Sequence, residues 1–348
     1  MSFIVTVAPS GKQFPVEPDQ HILDAGLQHH IVLPYGCKNG ACGTCKAKVV
    51  AGTVRQGPHQ VSALRPEEAE QGYALMCSSR ASSDVTIEAR VIAAAGDIPI
   101  RKMPCRIASI TRAAPDVAIL KLQLPANERL QYLAGQYIDL ILRDGTRRSY
   151  SMATAPHVAE QIELHVRHTP GGRFTDALFG VTQPAVKERD ILRFEGPLGT
   201  FFLREDSVKP VVFVASGTGF APIKAVIEHA AQRGVQRPMT LYWGGRRPHD
   251  LYLNQVARSW EQSLPQFRYV PVVSDALPGD AWDGRTGFVH RAAMADFPDL
   301  SGHQVYVCGA PVVVDSARRD FVAECGLPSD EFYADAFTTA ADTANPTV

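Results

Sequence analysis

Four cysteines constrain this chain more than any other feature of its sequence. Cys37, Cys42 and Cys45 follow a C-x4-C-x2-C spacing, and 31 residues separate Cys45 from Cys77. Four thiolates at this spacing are typical ligands of the two irons of a plant-type [2Fe-2S] cluster. Because three of the sulfurs must converge from one short loop, the chain around them has to curl tightly. The spacing therefore predicts an iron–sulfur loop.

Glycines in and beside this loop support the prediction. Gly36, Gly40 and Gly43 allow the backbone angles that a tight loop requires, and they leave peptide N–H groups to face the sulfurs. Structural zinc is the alternative interpretation, but zinc prefers two paired ligand sets around a tetrahedral ion. Cys77 stands alone in the segment ALMCSS, so the second pair is missing and the spacing favours the cluster.

Length and composition limit the classes of protein to which the chain belongs. Its 348 residues suit two or three domains, and 45% hydrophobic with 20% charged residues is a globular composition. A net charge of -1 gives no general attraction to nucleic acid or to anionic membranes. The first residues lack a secretory signal pattern, and no apolar run approaches the roughly 18 residues that cross a bilayer. We expect a cytoplasmic protein, where cysteines favour metal or redox chemistry over disulfides.

The order of strand-like and helix-like segments predicts a multidomain fold of α+β and α/β type. Strands, one helix (HILDAGLQHH) and the Gly-rich loop indicate a β-grasp-like domain over 1–93, followed by a linker over 94–103. Short strands separated by turns predict an antiparallel β-barrel over 104–204. Apolar strands that alternate with helices predict a doubly wound parallel sheet over 205–337. Residues 338–348 are expected to form a flexible tail.

The predicted barrel contains the first of two weak flavin-binding signals. Arg148, Tyr150 and Ser151 form an R-x-Y-S string on a strand that follows an Asp144-Gly145 turn. A flavin nucleotide needs a cation for its phosphate, an aromatic face for its ring and a hydrogen-bonding group near the reactive nitrogen. In a regular strand Arg148 and Tyr150 share one face while Ser151 lies on the other. An ordinary exposed strand is the alternative interpretation.

The second flavin-binding signal follows the strand IELHVRH. Gly171, Gly172 and Thr175 would present backbone N–H groups and a hydroxyl at the start of a helix, where a pyrophosphate binds well. A hairpin loop that simply enters a helix is the alternative. Because both signals fall within one predicted domain, together they favour a flavin site.

A dinucleotide-binding signal lies in the third predicted domain. The strand VVFVAS runs into Gly217, Thr218 and Gly219, whose small size allows a pyrophosphate to approach the backbone. Pro222 stands in the first turn of the following helix, where the usual third glycine is missing. A plain turn is the alternative, but the position between a buried strand and a helix favours a dinucleotide site.

Two further features bear on the dinucleotide. Cys308 and Gly309 end the strand QVYV, and at the carboxyl edge of a parallel sheet they would border the ligand crevice. A buried core cysteine is the alternative. After the strand MTLYW, Arg246 or Arg247 stands where it would accommodate a 2′-phosphate or would simply be solvated. These residues leave the choice between NADH and NADPH open.

The three motifs in this order resemble the ferredoxin reductase superfamily over nearly the whole chain. The strings YGCKNGACG, RRSYSMA, GGRFTDALF, ASGTGFAPIKA, YWGGRRP and FYADAF are most similar to those of the CDP-6-deoxy-Δ3,4-glucoseen reductases. The domain order also resembles the reductase components of oxygenases such as benzoate dioxygenase reductase. The resemblance implies an NAD(P)H-dependent iron–sulfur flavoprotein oxidoreductase with FAD and a [2Fe-2S] cluster, and it favours NADH over NADPH as the donor.

The resemblance also implies roles for single residues. Cys37, Cys42, Cys45 and Cys77 would hold the cluster. The residues implied for FAD are Arg148 at a phosphate, Tyr150 at the isoalloxazine, Ser151 near the reactive nitrogen, His165 and Val166 through their backbone, Gly171, Gly172 and Thr175 at the pyrophosphate, and Phe337 as a cover of the flavin. Those implied for the nicotinamide dinucleotide are Gly217, Thr218, Gly219, Pro222, Cys308 and Gly309. Ser151, Cys308 and Asp335 are expected nearest the reacting atoms, although Asp335 stands where these reductases usually have Glu.

The implied route begins with a hydride from NADH. FAD accepts two electrons at once and releases them singly, so the cluster receives one electron at a time and passes it to a partner enzyme. The relatives that the chain most resembles serve a dehydrase that acts on a CDP-linked 4-keto-6-deoxyhexose, which makes a CDP-6-deoxyhexose 3-dehydrase the expected acceptor. A Rieske or di-iron oxygenase is the second candidate, and a redox-sensing module without turnover is the third. We expect a monomer with no nucleic-acid or membrane partner.

Overall fold

The computed structural model describes residues 2–158 and 160–338. The described residues pack into two compact units. The first unit contains the chain up to Pro99 together with the C-terminal segment from Asp335, and the second unit contains Ile100–Ala334. Within these ranges no helix is both long enough and apolar enough to cross a membrane. Nearly all of the tail predicted over 338–348 lies outside the described residues.

The first unit has a five-stranded sheet in the order β2-β1-β7-β3-β5 and a small β4-β6 pair. Its strands are β1 (Phe3–Ala8), β2 (Lys12–Val16), β3 (Lys46–Ala51), β4 (Val54–Gln56), β5 (Tyr73–Leu75), β6 (Ser79–Ala81) and β7 (Val85–Glu88), and its helices are α1 (Ile22–Gln28), α2 (Pro66–Glu70) and α3 (Ala93–Gly96). Strands β1 and β7 pair in parallel, whereas β1 with β2 and β3 with β7 are antiparallel. Alternate residues of β1 and β2 are buried, as a sheet with one core face requires.

The second unit begins with a six-stranded sheet in the order β11-β10-β13-β8-β9-β12. Its elements are β8 (Arg101–Ala114), β9 (Val117–Gln123), β10 (Tyr137–Ile141), β11 (Arg147–Ser151), β12 (Gln161–Arg167), α4 (Arg173–Leu178) and β13 (Ile191–Leu198). Neighbouring strands are antiparallel. A bridge between Met152 and Leu164 joins the two edges of the sheet, so the antiparallel barrel is confirmed.

The rest of the second unit is a sheet in the order β17-β16-β15-β14-β18-β19. Its elements are β14 (Val211–Ser216), α5 (Phe220–Gln232), β15 (Met239–Gly245), α6 (Asn254–Ser263), β16 (Phe267–Val273), β17 (Arg285–Thr286), α7 (Val289–Asp296), β18 (Gln304–Gly309), α8 (Pro311–Glu324) and β19 (Phe332–Ala336). Strand β14 pairs in parallel with both β15 and β18, as the apolar strands predicted. The chain therefore winds outward from β14 in both directions, and the ligand crevice of such a sheet lies where the winding reverses.

Several short elements differ from the sequence prediction, α3, α7 and β19 among them. The segment predicted as a linker over 94–103 contains most of α3 and the start of β8. Alanine favours the helical conformation, and Met103 continues the alternation of buried side chains that makes β8 a strand. Helix α7 and strand β19 were not predicted, because each is too short to show a clear periodicity.

Candidate functional site

The four predicted cluster cysteines lie in the first unit as two pairs. Cys37 and Cys42 form one pair, in which the thiols interact and each backbone N–H also donates to the other sulfur, at 3.4 Å from Cys37 N and 3.3 Å from Cys42 N. The thiols of Cys45 and Cys77 form the second pair. Three of the four residues are buried and Cys37 is half-buried. The expectation that the loop presents N–H groups to the sulfurs is thus confirmed.

This pairing fits a cluster with two irons. In each pair a hydrogen bond from one thiol stabilises the thiolate of the other, which lowers the pKa of Cys42 to about 5 and also lowers the pKa of Cys77. Thiolates are the form in which cysteine binds metal. Across residues 2–158 and 160–338, no three or more His, Cys, Asp or Glu side chains form a group that could hold a metal ion. A [2Fe-2S] cluster instead takes two thiolates on each iron, which matches two pairs.

The glycines of this loop have two different roles. Gly40 and Gly43 have φ angles of +77° and +72°, and a Cβ on Gly40 would lie 2.7 Å from the carbonyl oxygen of Pro58. The prediction that they provide unusual backbone angles is confirmed. For Gly36 that prediction is wrong, because its φ is not positive. Gly36 instead leaves space, since a Cβ there would lie 3.4 Å from the Cys42 sulfur.

The C-terminal segment contacts the cluster loop within the first unit. The position that a Cβ on Gly36 would take is 3.3 Å from Oδ1 of Asp335, whose side chain is buried. The amide of Asn39 donates to the hydroxyl of Thr338 at 3.3 Å. Phe337 lies between Asp335 and Thr338 in the chain and is half-buried. Sequence reasoning expected Asp335 beside the flavin and did not anticipate a contact with the cluster loop.

The two flavin-binding signals come together in the barrel. In the pairing of β11 with β10, Tyr150 faces Ile138 and Ser151 faces Tyr137. The strand is therefore regular, and Ser151 lies on the opposite face from Tyr150, as the alternation predicts. The ring of Tyr150 lies 5.7 Å from that of Phe174, which belongs to α4. One contact thus joins the R-x-Y-S strand to the helix that follows the second signal.

The loop before α4 uses its own amides differently from the prediction. The N–H of Gly171 donates to Asp176 Oδ2 at 3.1 Å, and the N–H of Gly172 donates to the carbonyl of Thr169 at 2.9 Å. The hydroxyl of Thr175 donates to that same carbonyl at 2.8 Å. The first bond inside the helix runs from Asp176 N to the carbonyl of Gly172. The glycines therefore shape the loop. The N–H groups of residues 173–175 come before the first helical hydrogen bond, so they take no part in the hydrogen bonding of the helix.

Two of the residues implied for FAD lie side by side on β12. Val166 is fully buried in the barrel core. The His165 ring is also buried and lies between Tyr252, whose hydroxyl is 2.8 Å from Nδ1, and Glu163, whose Oε1 is 2.9 Å from Nε2. Burial lowers the pKa of His165, and the Glu163 hydrogen bond only partly offsets that effect. The imidazole is therefore neutral near pH 7.

The dinucleotide signal packs tightly against the end of β18. Gly217, Thr218 and Gly219 form a single 3-10 turn between β14 and α5. A Cβ on Gly219 would collide with the carbonyl of Cys308, and a Cβ on Gly309 would collide with Ser216. The glycines thus bring the ends of two parallel strands together at the edge where such sheets bind ligands. Pro222 is buried in the first turn of α5.

Residues that the sequence analysis missed surround this turn. A Cβ on Gly217 would lie 2.9 Å from the guanidinium of Arg167. The indole of Trp243 donates to the carbonyl of Gly217 at 2.9 Å and stacks on Phe220 with a centroid distance of 3.8 Å. Arg167 lies two residues after His165, and side chains two residues apart lie on the same face of a strand. Strand periodicity could therefore have identified Arg167. No local sequence signal identifies Trp243.

The arginine pair after β15 is divided between two environments. Arg247 donates from Nε and Nη2 to the carboxylate of Asp280, at 2.9 and 2.7 Å. Arg246 is exposed. The backbone N–H groups of both arginines donate to Oδ2 of Asp250, at 2.8 and 2.9 Å. One of the two candidate partners of a 2′-phosphate is thus already paired with a carboxylate.

Comparison with known protein families assigns three domains to the chain. Residues 5–82 match the 2Fe-2S iron-sulfur cluster binding domain, residues 104–203 match the oxidoreductase FAD-binding domain, and residues 213–319 match the oxidoreductase NAD-binding domain. The four cysteines, the R-x-Y-S strand and the glycine turn each fall within the corresponding range. The chain is thus an oxidoreductase with a [2Fe-2S] cluster, FAD and a nicotinamide dinucleotide as cofactors.

Individual proteins are similar to the chain over nearly its whole length. The CDP-6-deoxy-L-threo-D-glycero-4-hexulose-3-dehydrase reductase of Yersinia pseudotuberculosis serotype I is 42% identical over 97% of this chain and 99% of that protein. Reductase component 1 of the terephthalate 1,2-dioxygenase of Comamonas sp is 39% identical over 98% of each chain. The crystal structure of the Amycolatopsis cytochrome P450 reductase GcoB is 32% identical and covers 97% of this chain and 99% of that one, with a TM-score of 0.77. The chain belongs to the family of iron–sulfur flavoprotein reductases that combine a 2Fe-2S, an FAD-binding and an NAD-binding domain.

Proposed function

We propose that this protein takes electrons from NADH and delivers them singly, through FAD and the [2Fe-2S] cluster, to a CDP-6-deoxyhexose 3-dehydrase. The observation that carries the proposal is the combination, in one chain, of a dinucleotide turn, a flavin strand and two thiol pairs. NADH gives up two electrons together, whereas an iron–sulfur cluster accepts one. Bound FAD supplies the conversion between the two, because it accepts a hydride and releases electrons one at a time.

Cys37 with Cys42 would hold one iron, and Cys45 with Cys77 would hold the other. The paired geometry of the four cysteines supports this assignment. The loop amides that face the sulfurs would stabilise the negative charge of the reduced cluster and so tune its reduction potential.

For FAD, Arg148 would bind a phosphate and Tyr150 would pack on the isoalloxazine. Ser151 would direct its hydroxyl toward the reactive nitrogen from the end of β11, and His165 with Val166 would contribute backbone contacts. Gly171, Gly172 and Thr175 would shape the pyrophosphate site, and the amides of residues 173–175 would donate to the phosphate oxygens.

For the nicotinamide dinucleotide, Gly217, Thr218 and Gly219 would receive the pyrophosphate at the start of α5, with Pro222 completing the turn. Cys308 and Gly309 would lie beside the nicotinamide, with Cys308 among the groups nearest the reacting atoms. The Arg247–Asp280 pair supports NADH as the donor. The guanidinium of Arg247 is already bonded to the Asp280 carboxylate, so it is not available to a 2′-phosphate, and the carboxylate stays nearby.

The dehydrase acceptor is supported by the 42% identity to the Yersinia reductase, whose name states that partner. Reduction of an oxygenase component is the second candidate, favoured by the 39% identity to the terephthalate dioxygenase reductase. A monomer in the cytoplasm is the simplest form of the protein. None of the seven cysteines is in a disulfide, which supports a reducing compartment.

Anaerobic stopped-flow mixing tests the proposal. NADH should bleach the flavin, the cluster signal should then appear, and oxidised dehydrase with its CDP-sugar substrate should reoxidise the cluster faster than a Rieske oxygenase does. Faster reoxidation by the oxygenase would favour the second candidate. A flavin that neither NADH nor NADPH reduces would leave only a binding module without turnover.

A further inference from the structure

Strand β12 has two faces with different partners. Its even-numbered residues, 162 to 166, are buried in the barrel core. Glu163, His165 and Arg167 lie on the other face, because side chains alternate along a strand. We call these three residues the polar face of β12. A buried or half-buried polar row on a barrel strand needs partners, since an unpaired polar group away from water costs free energy.

Each residue of the polar face contacts a residue that lies beyond the barrel, in the NAD-binding range. The contacts are Glu163 Oε1 with Lys224 Nζ at 3.4 Å, His165 Nδ1 with the Tyr252 hydroxyl at 2.8 Å, and Arg167 Nη2 with Asp250 Oδ1 at 3.3 Å. One strand of the flavin barrel is therefore joined to the dinucleotide half at three successive positions.

The charges along this row are complementary. Burial alone would raise the pKa of Glu163, but the His165 hydrogen bond and the Lys224 charge outweigh it and lower that pKa to about 2. An ionised Glu163 only accepts, so His165 donates to it from Nε2 and accepts from Tyr252 at Nδ1. Burial raises the pKa of Tyr252 well above its usual value, which keeps the hydroxyl as the donor.

Lys224 occupies the central position in this arrangement. It lies in α5, five residues after the Gly217–Gly219 turn, and its ammonium also donates to the carbonyl of Ala153 at 3.1 Å. Ala153 follows Ser151 by two residues, and its own N–H donates to the carbonyl of Glu163 at 2.8 Å. Lys224 therefore contacts both the segment after the R-x-Y-S strand and the polar face of β12. Its side chain is only 13% exposed, so water weakens these contacts little.

We propose that Lys224 and Glu163 are positioning residues that fix the dinucleotide turn and α5 against the flavin strand for hydride transfer. The inference rests on the proposed reaction, in which the C4–H bond of NADH breaks and its hydrogen passes with both electrons to the flavin, leaving NAD⁺. Such a transfer requires the reacting atoms to be about 3–3.5 Å apart, and a misplacement of about 1 Å can cost about 100-fold in rate. The two residues act through geometry and touch neither reacting atom.

Stopped-flow reduction of FAD by NADH tests the role of the pair. K224M and E163Q should each lower the rate constant at saturating NADH by about tenfold or more, with little change in the NADH concentration that gives half the maximal rate. The double variant should lose less than the product of the two single losses, because both changes remove the Lys224–Glu163 contact. K224R keeps the charge and should recover most of the rate.

A matched control is available on the same helix. Glu228 also contacts Lys224, at 3.0 Å, but it lies one turn further along α5, and E228Q should leave the rate unchanged. FAD content, the flavin absorption spectrum and the melting temperature separate positioning from folding. Dithionite reduction of flavin and cluster should be unaffected in every variant.

Two outcomes overturn the inference. In the first, K224M and E163Q reduce each bound FAD at the wild-type rate. In the second, a lower FAD content explains the whole loss of rate. Should K224M fail to fold, E163Q decides the matter, because glutamine is nearly isosteric with glutamate. If NADH does not bleach the flavin of the wild-type protein, the proposed function itself fails, and that result is distinct from both outcomes.

Discussion

The carboxylate of Asp335 should lower the reduction potential of the cluster, and Asp335→Asn should raise it. Oδ1 of Asp335 and the sulfur of Cys42 lie 3.3 and 3.4 Å from the same point, the position of a Cβ on Gly36. Asp335 is only 6% exposed, so solvent screens its charge weakly. A negative charge there opposes the arrival of an electron on a cluster held by Cys42.

The magnitude follows from Coulomb's law. Oδ1 of Asp335 and the Cys42 sulfur are at most about 7 Å apart, and two unit charges at that separation interact by about 2 kcal/mol at an effective dielectric constant of about 20. Because about 1.4 kcal/mol corresponds to about 59 mV for one electron, D335N should raise the midpoint potential by about 100 mV. D335E keeps the charge and should stay close to the wild-type value.

A redox titration followed by the EPR signal of the reduced cluster measures this shift. D19N is the control, because Asp19 belongs to the same unit but is exposed, and its charge is screened by solvent. Iron and sulfide content must be equal in all variants. A D335N potential that matches the wild-type value at full cluster content would refute the electrostatic reasoning.

Three other predictions concern the loop, the donor and acid stability. Gly40→Ala should destabilise the first unit by about 1–3 kcal/mol and lower its iron content. In the control G11A the added Cβ meets no atom within 4 Å, so only the strain of a left-handed backbone should lower the stability. Thermal unfolding and iron analysis measure both variants. Asp280→Ala should release Arg247 and raise kcat/KM for NADPH about tenfold. An unchanged NADPH-to-NADH ratio would contradict the proposed donor preference. The depressed pKa of Glu163 gives stability that is fully present above about pH 4.5 and is lost as pH falls toward about 2. Between pH 6 and pH 3.5, the free energy of unfolding of the wild-type protein should therefore fall by about 1.4 kcal/mol more than that of E163Q, as urea unfolding measures. Parallel curves for the two proteins would show that the carboxylate is not held in its charged form.

Sequence reasoning succeeded where the determinants of structure are local. The spacing of Cys37, Cys42 and Cys45 fixes a loop of nine residues, and the positive φ angles of Gly40 and Gly43 follow from that curvature. The glycine turn after β14 is also local, because a buried strand, small residues and a helix are consecutive in the chain. Short strands separated by turn residues were enough to predict the antiparallel barrel, and apolar strands alternating with helices were enough to predict the parallel sheet.

It failed where partners are distant in sequence. The guanidinium of Arg247 is bonded to the carboxylate of Asp280, 33 residues away, so a side chain considered for a 2′-phosphate is already paired. Asp335 is about 300 residues from Gly36, and no periodicity relates the two. Spacing identifies the residue types that a site needs, but tertiary packing decides which of their hydrogen-bonding groups are already in use.

The division of the chain into two compact units follows from the different demands of its two redox steps. Hydride transfer moves an atom together with two electrons, so donor and acceptor must be in contact, and small displacements are costly. Flavin barrel and dinucleotide sheet accordingly form one unit, joined through the polar face of β12 and Lys224. The cluster receives electrons without an accompanying atom, so its ligands need not be built into that unit. Contacts between barrel and sheet should therefore govern the rate of flavin reduction. Residues such as Asp335 in the other unit should govern the reduction potential of the cluster.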